Sequence, residues 1–317
     1  MDPTPGSRLP LLVLVGPTAV GKSAAAVELA LRVGGEIVCA DSRTVYRGMD
    51  VGTAKPTPSM RARVPHHLLD VADPQEVFTV WDFQRLAREA IAAIRGRGRV
   101  PLLVGGTGLY VRAVVDGLVI PQVPPDWTSR RMWEEEERQQ PGVLYRRLAE
   151  LDPEAARRIP PQNLRRVIRA LEVVVRTGRR FSELARREGG EEAVQVGLTV
   201  DRNVLYGRIR RRIHEQLQAG LVDEVRALLS RGLDPSLPAL QGLGYKELIP
   251  YVLGQVSLPE AVRVLERNTR RYAKRQWTWF RADPRIRWVD VDELPPEAVA
   301  ERVLGVARAC GLPLGLS

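Results

Sequence analysis

The amino-acid sequence predicts an α/β protein whose mostly parallel β-sheet is interrupted by a small all-helical domain. Short apolar runs alternate with amphipathic helical stretches up to residue 120, and residues 126–190 then carry helical signals alone. An apolar strand pattern returns at residue 194. Strands that alternate with helices favour a doubly wound, parallel sheet, so the return of the pattern predicts that the helical segment is inserted into one sheet.

Six apolar runs, each bounded by turn residues or by a helical stretch, carry the strand pattern. The predicted strands cover residues 9–15, 35–40, 67–71, 100–104, 194–200 and 286–291. Apolar residues at helical spacing predict helices over residues 22–32, 81–94, 201–219, 221–229, 259–280 and 296–309. Segments 1–125 and 191–317 are therefore expected to form one α/β core.

The helical insertion is predicted over residues 126–190. It follows a proline cluster at residues 121–125, which is typical of a linker. Leucines and valines at helical spacing would form its apolar face, and pairs such as Arg146 and Arg147 mark an exposed face. These features predict a separate, basic helical domain.

Basic residues dominate the charge of the chain, which has 317 residues, 44% of them hydrophobic and 27% charged. The formal net charge is +10, which favours a polyanionic partner, above all nucleic acid, through phosphate neutralisation and counterion release. Arginine supplies 44 of the 48 basic residues, so the four lysines stand out. They are Lys22, Lys55, Lys246 and Lys274.

The two cysteines in a chain of this length predict neither a disulfide framework nor a metal site. The first ten residues lack the pattern of a targeting signal, and the apolar run at residues 9–15 is too short to span a bilayer. We therefore expect a cytoplasmic protein with no membrane segment, and we expect a monomer.

The most specific motif follows the first predicted strand and precedes the first predicted helix. It matches the phosphate-binding loop and reads Gly16, Pro17, Thr18, Ala19, Val20, Gly21, Lys22 and Ser23. Its backbone amides and the helix N-terminus would bind a diphosphate, with Lys22 as a cation and the Ser23 hydroxyl on Mg²⁺. The motif predicts a P-loop NTPase-like, nucleotide-binding or ATP-binding type of core.

The loop lacks the second half of an ATPase. The strand predicted at residues 100–104 runs into Gly105, Gly106 and Thr107, and not into an aspartate suited to hold Mg²⁺ beside a γ-phosphate. A diphosphate that is bound as a leaving group would need the loop without the hydrolytic apparatus.

Asp41 follows the second predicted strand, and loops at the carboxyl ends of parallel strands form the ligand crevice of such folds. Its carboxylate is a candidate general base that faces the phosphate loop. The alternative is an N-cap for a helix that starts near Arg43, a common use of aspartate. The residues alone leave both interpretations open.

Histidines and aromatic residues have simpler explanations. His66 and His67 precede an apolar strand, and His214 is the only other histidine, so a metal cluster is not expected. A helical stretch near the carboxyl end contains Trp277, Trp279 and Phe280. These rings could stack on nucleic-acid bases or pack in the core.

Seven segments in order resemble the tRNA dimethylallyltransferase (tRNA isopentenyltransferase) family. They lie at residues 16–23, 41–56, 65–70, 104–110, 163–173, 242–248 and 271–281. The resemblance implies transfer of the dimethylallyl group from dimethylallyl diphosphate to N6 of the adenosine 3′ of the anticodon (position 37), with Mg²⁺ assisting. The implied partner is the anticodon stem-loop of tRNAs that read codons beginning with U.

The resemblance also assigns roles to particular residues. Asp41 matches the general base and Thr107 a position beside the reacting adenine, while Arg208 or Arg212 would help the loop to hold the diphosphate. The implied tRNA contacts are Asp41, Ser42, Arg43, Thr44, Thr107, Arg130, Arg165, Arg166, Val167, Ile168, Arg169, Gln241, Gly242, Leu243, Gly244, Tyr245 and Lys246. The chain departs from the family at Thr44, where glutamine is usual, which puts the contact at that position in doubt.

Three other functions are compatible with parts of the sequence. A small-molecule phosphotransferase and a free-nucleotide prenyltransferase would share the loop, but they leave the basic helical domain without a substrate. A non-catalytic RNA-binding module could hold a backbone phosphate in the loop. A carboxylate at Asp41 would weaken such pure phosphate binding.

Overall fold

A computed structural model describes residues 9–184 and 186–312, so residues 1–8, where a targeting signal would begin, lie outside the described range. A six-stranded sheet forms the centre of the fold, in the order β3-β2-β4-β1-β5-β6 with every neighbouring pair parallel. The strands are β1 (Leu11–Val15), β2 (Gly35–Cys39), β3 (His66–His67), β4 (Val100–Gly105), β5 (Ala193–Thr199) and β6 (Arg287–Asp290). The parallel α/β architecture predicted from the sequence is confirmed.

Helices follow the strands as the alternating pattern predicts. The first half contains α1 (Lys22–Val33), α2 (Pro58–Arg63), α3 (Val80–Gly96), α4 (Gly108–Val115), α5 (Trp127–Gln139), α6 (Val143–Leu151) and α7 (Pro153–Arg158). The second half contains α8 (Leu164–Thr177), α9 (Phe181–Leu184), α10 (Arg202–Gln218), α11 (Leu221–Ser230), α12 (Tyr245–Val252), α13 (Leu258–Arg281) and α14 (Pro296–Ala309). Among the described residues, no helix combines the length and the apolar character that crossing a membrane requires.

The third strand is shorter than predicted. The sequence predicts it over residues 67–71, whereas β3 contains His66 and His67 alone. Leu68 and Asp70 adopt positive φ angles of 64° and 58°, which take the chain out of the extended conformation. The strand prediction for residues 68–71 is therefore wrong, because the backbone turns there.

Continuous apolar sequence places the strands in the interior. All five residues of β1 are buried, as are all five of β2 and all six of β4, which is expected for a parallel sheet covered on both faces. Residues of α1 and α14 belong to the same hydrophobic core as these strands. This burial fixes the strand ends from which the loops of the candidate site emerge.

The described chain divides into two compact units. One contains the ranges Met1–Phe78, Asp82–Val115 and Glu191–Ser317, and the other contains Thr79–Trp81 and Asp116–Gly190. The second unit includes the proline cluster at residues 121–125, which the sequence suggests is a linker. The Arg169 guanidinium donates to the carbonyl oxygens of Pro121 and Val123, so this segment is tied to α8.

Glu172 organises the polar interior of the helical unit. Its side chain is 1% exposed and accepts hydrogen bonds from Asp126 N, from both Nε and Nη2 of Arg130, and from Arg169 Nη1, at 2.6–2.9 Å. Burial raises the pKa of the carboxyl, but the bonds from Arg130, Asp126 and Arg169 outweigh it, and the pKa lies below its usual value. The charged form is therefore the one that stabilises this unit.

We predict that Glu172→Ala lowers the free energy of unfolding by about 3–5 kcal/mol, because it leaves two partly buried guanidinium groups without their counter-charge. A carboxyl with a depressed pKa stabilises the protein above its unfolded pKa, and that stabilisation is lost as the pH falls through the folded value. The difference between variant and unaltered protein should therefore shrink in acid.

Denaturant unfolding at several pH values measures this effect. Glu154→Ala is the control, since Glu154 forms an exposed pair with Arg158 in the same unit and should change stability little. A Glu172→Ala protein as stable as the control would contradict the structural role of the carboxylate.

Candidate active site

The phosphate-binding loop connects β1 to α1 as predicted. Gly16, Ala19 and Gly21 have positive φ angles of 144°, 64° and 105°, and α1 begins at Lys22. Successive amides in alternating right- and left-handed conformations form concave anion sites, and the helix N-terminus adds a partial positive charge. The local sequence therefore builds an anion-binding backbone at the end of β1.

Lys22 folds over this loop. Its Nζ donates to the carbonyl oxygens of Gly16, at 3.0 Å, and Pro17, at 2.8 Å. Burial and the neighbouring Arg212 lower the pKa of the amine to about 7, and Asp41 offsets part of that shift. A bound anion would favour the protonated amine, so the loop is electrostatically prepared for a phosphate ligand.

One cavity collects residues from several loops and helices. It lies at the carboxyl ends of β1, β2 and β4, where a ligand crevice is expected. Its lining includes Thr18, Lys22, Ser23, Asp41, Thr44, Thr53, Ala54, Pro56, Gly105, Gly106, Arg212, Tyr272 and Gln276. Two cations and one carboxylate thus share a pocket whose remaining walls are largely apolar or uncharged.

Asp41 does not cap a helix. Residues 41–57 form turns, and the next helix, α2, begins only at Pro58. The Asp41 Oδ1 accepts a hydrogen bond from Arg43 N at 2.8 Å, which closes a local side-chain turn. The N-cap interpretation is wrong, and the carboxylate faces the cavity that Lys22 and Arg212 line.

Thr107 connects the loop after β4 to the loop after β2. Its Oγ1 accepts from Ser42 N at 3.0 Å, and its own N–H donates to Ala40 O at 3.2 Å. A Cβ at Gly105 would lie 2.0 Å from Ala40 O, so only glycine allows this approach. Thr107 is therefore hydrogen-bonded to both sequence neighbours of Asp41, the other residue that the resemblance marks as catalytic.

Gln276 and Tyr272 are cavity residues that the sequence does not single out. Gln276 Oε1 accepts from Thr18 N at 2.8 Å, and its Nε2 donates to Gly106 O at 2.8 Å, so one buried side chain joins two loops. Tyr272 lies one turn earlier on α13. Their four-residue spacing within the segment at 271–281 is the signal that could have found them.

Arg212 and Arg208, both predicted to help with the diphosphate, have different surroundings. Arg212 lines the cavity, and burial lowers the pKa of its guanidinium while Asp41 raises it. Arg208 Nη1 instead donates to Val20 O at 3.2 Å and supports the loop from outside. Val20 as a whole is 1% exposed, so its side chain is not available to a ligand.

Several residues predicted to contact tRNA are buried or are paired with other residues of the protein. Val167 and Ile168 lie in the core of the helical unit, and Arg130 and Arg169 bind Glu172. Tyr245 is fully buried and donates to Glu224 Oε1 at 2.6 Å. The side chains of Val167, Ile168 and Tyr245 are therefore removed from the set that can contact RNA, because burial separates them from any partner.

Other members of that set lie at the surface or line the cavity. Arg165, Arg166, Gln241 and Lys246 are exposed on the described structure. Arg43 donates from Nη1 to Pro238 O at 2.5 Å, beside Gly242. Thr44 is buried in the cavity wall, and Ser42, Leu243 and Gly244 are partly or fully buried.

The histidines make ordinary structural contacts. His66 Nδ1 lies 2.8 Å from Val64 O, and His67 Nε2 lies 2.7 Å from Glu36 Oε2. Within residues 9–184 and 186–312, no group of three or more His, Cys, Asp or Glu side chains could hold a metal ion. The Ser23 hydroxyl, which the motif assigns to Mg²⁺, lines the cavity together with the Asp41 carboxylate.

A parallel sheet with a phosphate-binding loop and a carboxylate on the same cavity defines a P-loop-like enzyme core. Two family models match: "IPP transferase" over residues 44–283 and "Isopentenyl transferase" over residues 9–67. The chain belongs to the IPP transferase family. Prenyltransferases of this kind generally use a divalent metal.

Named relatives agree with the family. Proteins called tRNA dimethylallyltransferase from Thermomicrobium roseum and Desulforudis audaxviator are 48% and 50% identical to the chain. These matches cover 90% and 93% of the chain and 88% and 97% of the relatives.

Two solved structures share the fold. The full-length tRNA isopentenylpyrophosphate transferase of Bacillus halodurans has a TM-score of 0.70 at 44% identity and covers 95% of this chain and 96% of its own. A eukaryotic dimethylallyltransferase described as acting on tRNA has a TM-score of 0.80 at 25% identity. That match covers 98% of this chain and 82% of the other.

We predict that Lys22→Met weakens the binding of inorganic pyrophosphate in the presence of Mg²⁺. A hydrogen bond to a charged group contributes about 1.5–3 kcal/mol, which corresponds to roughly 10- to 150-fold in affinity. Titration calorimetry measures the change, and Lys246→Met removes an exposed lysine elsewhere as the control. Equal affinities for both variants would rule out Lys22 as a phosphate ligand.

Proposed function

We propose that the protein transfers the dimethylallyl group of dimethylallyl diphosphate to N6 of the adenosine at position 37, 3′ of the anticodon, in tRNAs that read codons beginning with U. The shared cavity of the phosphate loop and Asp41 carries this proposal. Such a cavity suits a reaction in which an anion leaves and a proton is removed at the same place. Family membership and the relatives' names support the transfer of a dimethylallyl group to tRNA.

The proposed reaction breaks the bond between the allyl carbon and the diphosphate oxygen and forms a bond from that carbon to N6. The electron pair leaves with the diphosphate, and Lys22, Arg212 and the loop amides stabilise the charge that develops there. Adenine N6 is a weak nucleophile because its lone pair is delocalised into the ring. Because the nucleophile is weak, the rate of transfer would depend mainly on stabilising the leaving diphosphate.

Asp41 is the proposed general base. A carboxylate positioned at N6 removes the proton as the new bond forms, an effect typically worth about 10²–10⁴-fold. The short turn to Arg43 N holds the carboxyl group, and Thr107 fixes the adjoining backbone at Ser42. An adenosine must leave its stack to reach these groups, as bases do in other enzymes that modify them.

We propose Mg²⁺ as the divalent metal. The Ser23 hydroxyl is an oxygen donor of the kind that Mg²⁺ prefers, and one hydroxyl is too little to hold the ion alone, so diphosphate oxygens would complete the coordination. When bound there, the ion would neutralise charge on the diphosphate. The residues present fit this ion better than they fit a softer one.

We propose that the exposed Arg165 and Arg166 of the helical unit contact the RNA sugar-phosphate backbone. Gln241 and Lys246 would make such contacts from the other unit. Arginine at the surface contacts RNA phosphates without reading sequence, which would supply affinity and orientation. Asp41, Thr44 and Thr107 would surround the reacting base itself.

Radiolabelled dimethylallyl diphosphate incubated with unmodified tRNA tests the proposal. We expect label in the RNA, and none when the target adenosine is replaced by guanosine. Label transferred to free adenine nucleotides would identify a nucleotide prenyltransferase. Phosphate transfer from labelled ATP would identify a phosphotransferase, and no transfer at all would leave a binding module.

We predict that Asp41→Asn slows single-turnover transfer by roughly 10²–10⁴-fold, because asparagine cannot accept a proton at neutral pH. Melting temperature and pyrophosphate affinity should hardly change, since the asparagine oxygen can still accept from Arg43 N. Asp73→Asn is the matched control, because Asp73 Oδ1 also accepts an N–H two residues later, from Gln75. Turnover near that of the unaltered protein would exclude Asp41 as the base.

We predict that the double variant Arg165→Gln, Arg166→Gln weakens tRNA binding. The slope of the logarithm of affinity against the logarithm of salt concentration should become less steep by about one per lost phosphate contact. Binding isotherms at several salt concentrations give the slope. The double variant Arg157→Gln, Arg158→Gln removes the same charge from the same unit. An equal effect from both pairs would mean that only net charge matters, and not this site.

A further inference from the structure

The loop between β2 and α2 supplies much of the cavity wall. Asp41 and Thr44 come from its beginning, and Thr53, Ala54 and Pro56 come from its end. Residues 41–57 consist of turns and one isolated bridge, without a regular helix or strand. A loop of this length needs contacts from elsewhere if its two ends are to keep a fixed geometry.

Glu224 on α11 provides such contacts at residues 50–52. Its Oε2 accepts from Asp50 N at 2.7 Å and from Val51 N at 2.8 Å, and its Oε1 accepts from Gly52 N at 2.9 Å. Three successive amides therefore converge on one carboxylate, 172–174 residues away along the chain. Hydrogen bonds to an ionised acceptor are roughly twice as strong as neutral ones, so this is a firm attachment.

Gln216 and Lys55 hold the same turn from other directions. Gln216 Nε2, on α10, donates to Val51 O at 2.7 Å and to Gly52 O at 3.1 Å. The buried Lys55 amine donates to Asp50 Oδ1 at 2.6 Å. This ion pair neutralises the side chain of Asp50, whose backbone amide binds Glu224. Both the amides and the carbonyls of the turn are thereby occupied.

Tyr245 completes the arrangement around Glu224. Its hydroxyl donates to Glu224 Oε1, and burial together with this carboxylate raises the pKa of the phenol far above its usual range, so it remains a donor. A Cβ at Gly52 would lie 2.5 Å from the Tyr245 ring. Only glycine therefore lets the turn approach the ring closely enough for all these bonds.

We propose that Glu224 is a positioning residue for the transfer reaction: it fixes the turn at residues 50–52 and, through it, the adjoining cavity wall at Thr53 and Ala54. This inference rests on the proposed function. Loss of the carboxylate would leave amide donors of the turn without their acceptor, and the turn would move to find water. The cavity wall would move with it, although Glu224 does not line the cavity.

A displacement of about 1 Å in an active site can cost on the order of 10²-fold in rate. We therefore expect Glu224→Gln to lower the single-turnover rate on this scale, because in either orientation its NH₂ group faces at least one amide N–H. The affinity for tRNA and the melting temperature should change little. A rate that falls while binding and folding persist is the signature of positioning rather than of general support.

Asp223→Asn is the matched control, since it removes one negative charge from the neighbouring residue of α11, where Asp223 pairs with Arg226 at the surface. Both variants are compared with the unaltered protein at a temperature far below their melting transitions, with labelled dimethylallyl diphosphate and tRNA saturating. Hydrogen exchange at the amides of Asp50, Val51 and Gly52 is measured beside the rates. Exchange should accelerate in Glu224→Gln and remain slow in Asp223→Asn.

A slowed Glu224→Gln with faster exchange at these amides and a normal control supports the positioning role. Transfer as fast as in the unaltered protein overturns it, as does a rate loss that merely follows a fall in the folded fraction. Absence of transfer by the unaltered protein overturns the proposed function, and with it the role of Glu224 in that reaction. The two failures are therefore distinguishable.

Discussion

The electrostatic balance among Lys22, Arg212 and Asp41 is the constraint on which the site depends. Two cations and one carboxylate share a cavity, and burial lowers the pKa of both basic groups. Such an arrangement is costly without an anion and becomes favourable when a diphosphate supplies the missing charge. Binding of the donor and departure of its diphosphate therefore depend on the same groups.

The rest of the core serves to bring those groups together. The buried parallel strands end at one edge, and the approach of Gly105 to Ala40 brings the loops after β2 and β4 into contact. Gln276 joins the phosphate loop to the loop after β4, and Glu224 holds the far end of the loop that starts at Asp41. Gln276 and Glu224 are both polar side chains on helices that are remote in sequence from the loops they hold.

This remoteness explains how much could be predicted from the sequence. The strands, six of the fourteen described helices and the phosphate loop depend on local patterns, and they were predicted within a few residues except at β3. Gln276 was missed because its partner Thr18 lies 258 residues away, which no periodicity reveals. Val167, Ile168 and Tyr245 were assigned to the RNA surface because a matched motif does not distinguish a buried side chain from an exposed one.

A crystal structure of the protein with a non-reactive thio analogue of dimethylallyl diphosphate and a tRNA anticodon stem-loop tests the central claim most directly. The account predicts the diphosphate on the loop beside Lys22, the allyl carbon roughly 3–3.5 Å from N6, and N6 within roughly 2.6–3.2 Å of an Asp41 oxygen. A diphosphate bound away from the loop, or an adenine whose N6 lies beyond the reach of Asp41, would contradict it.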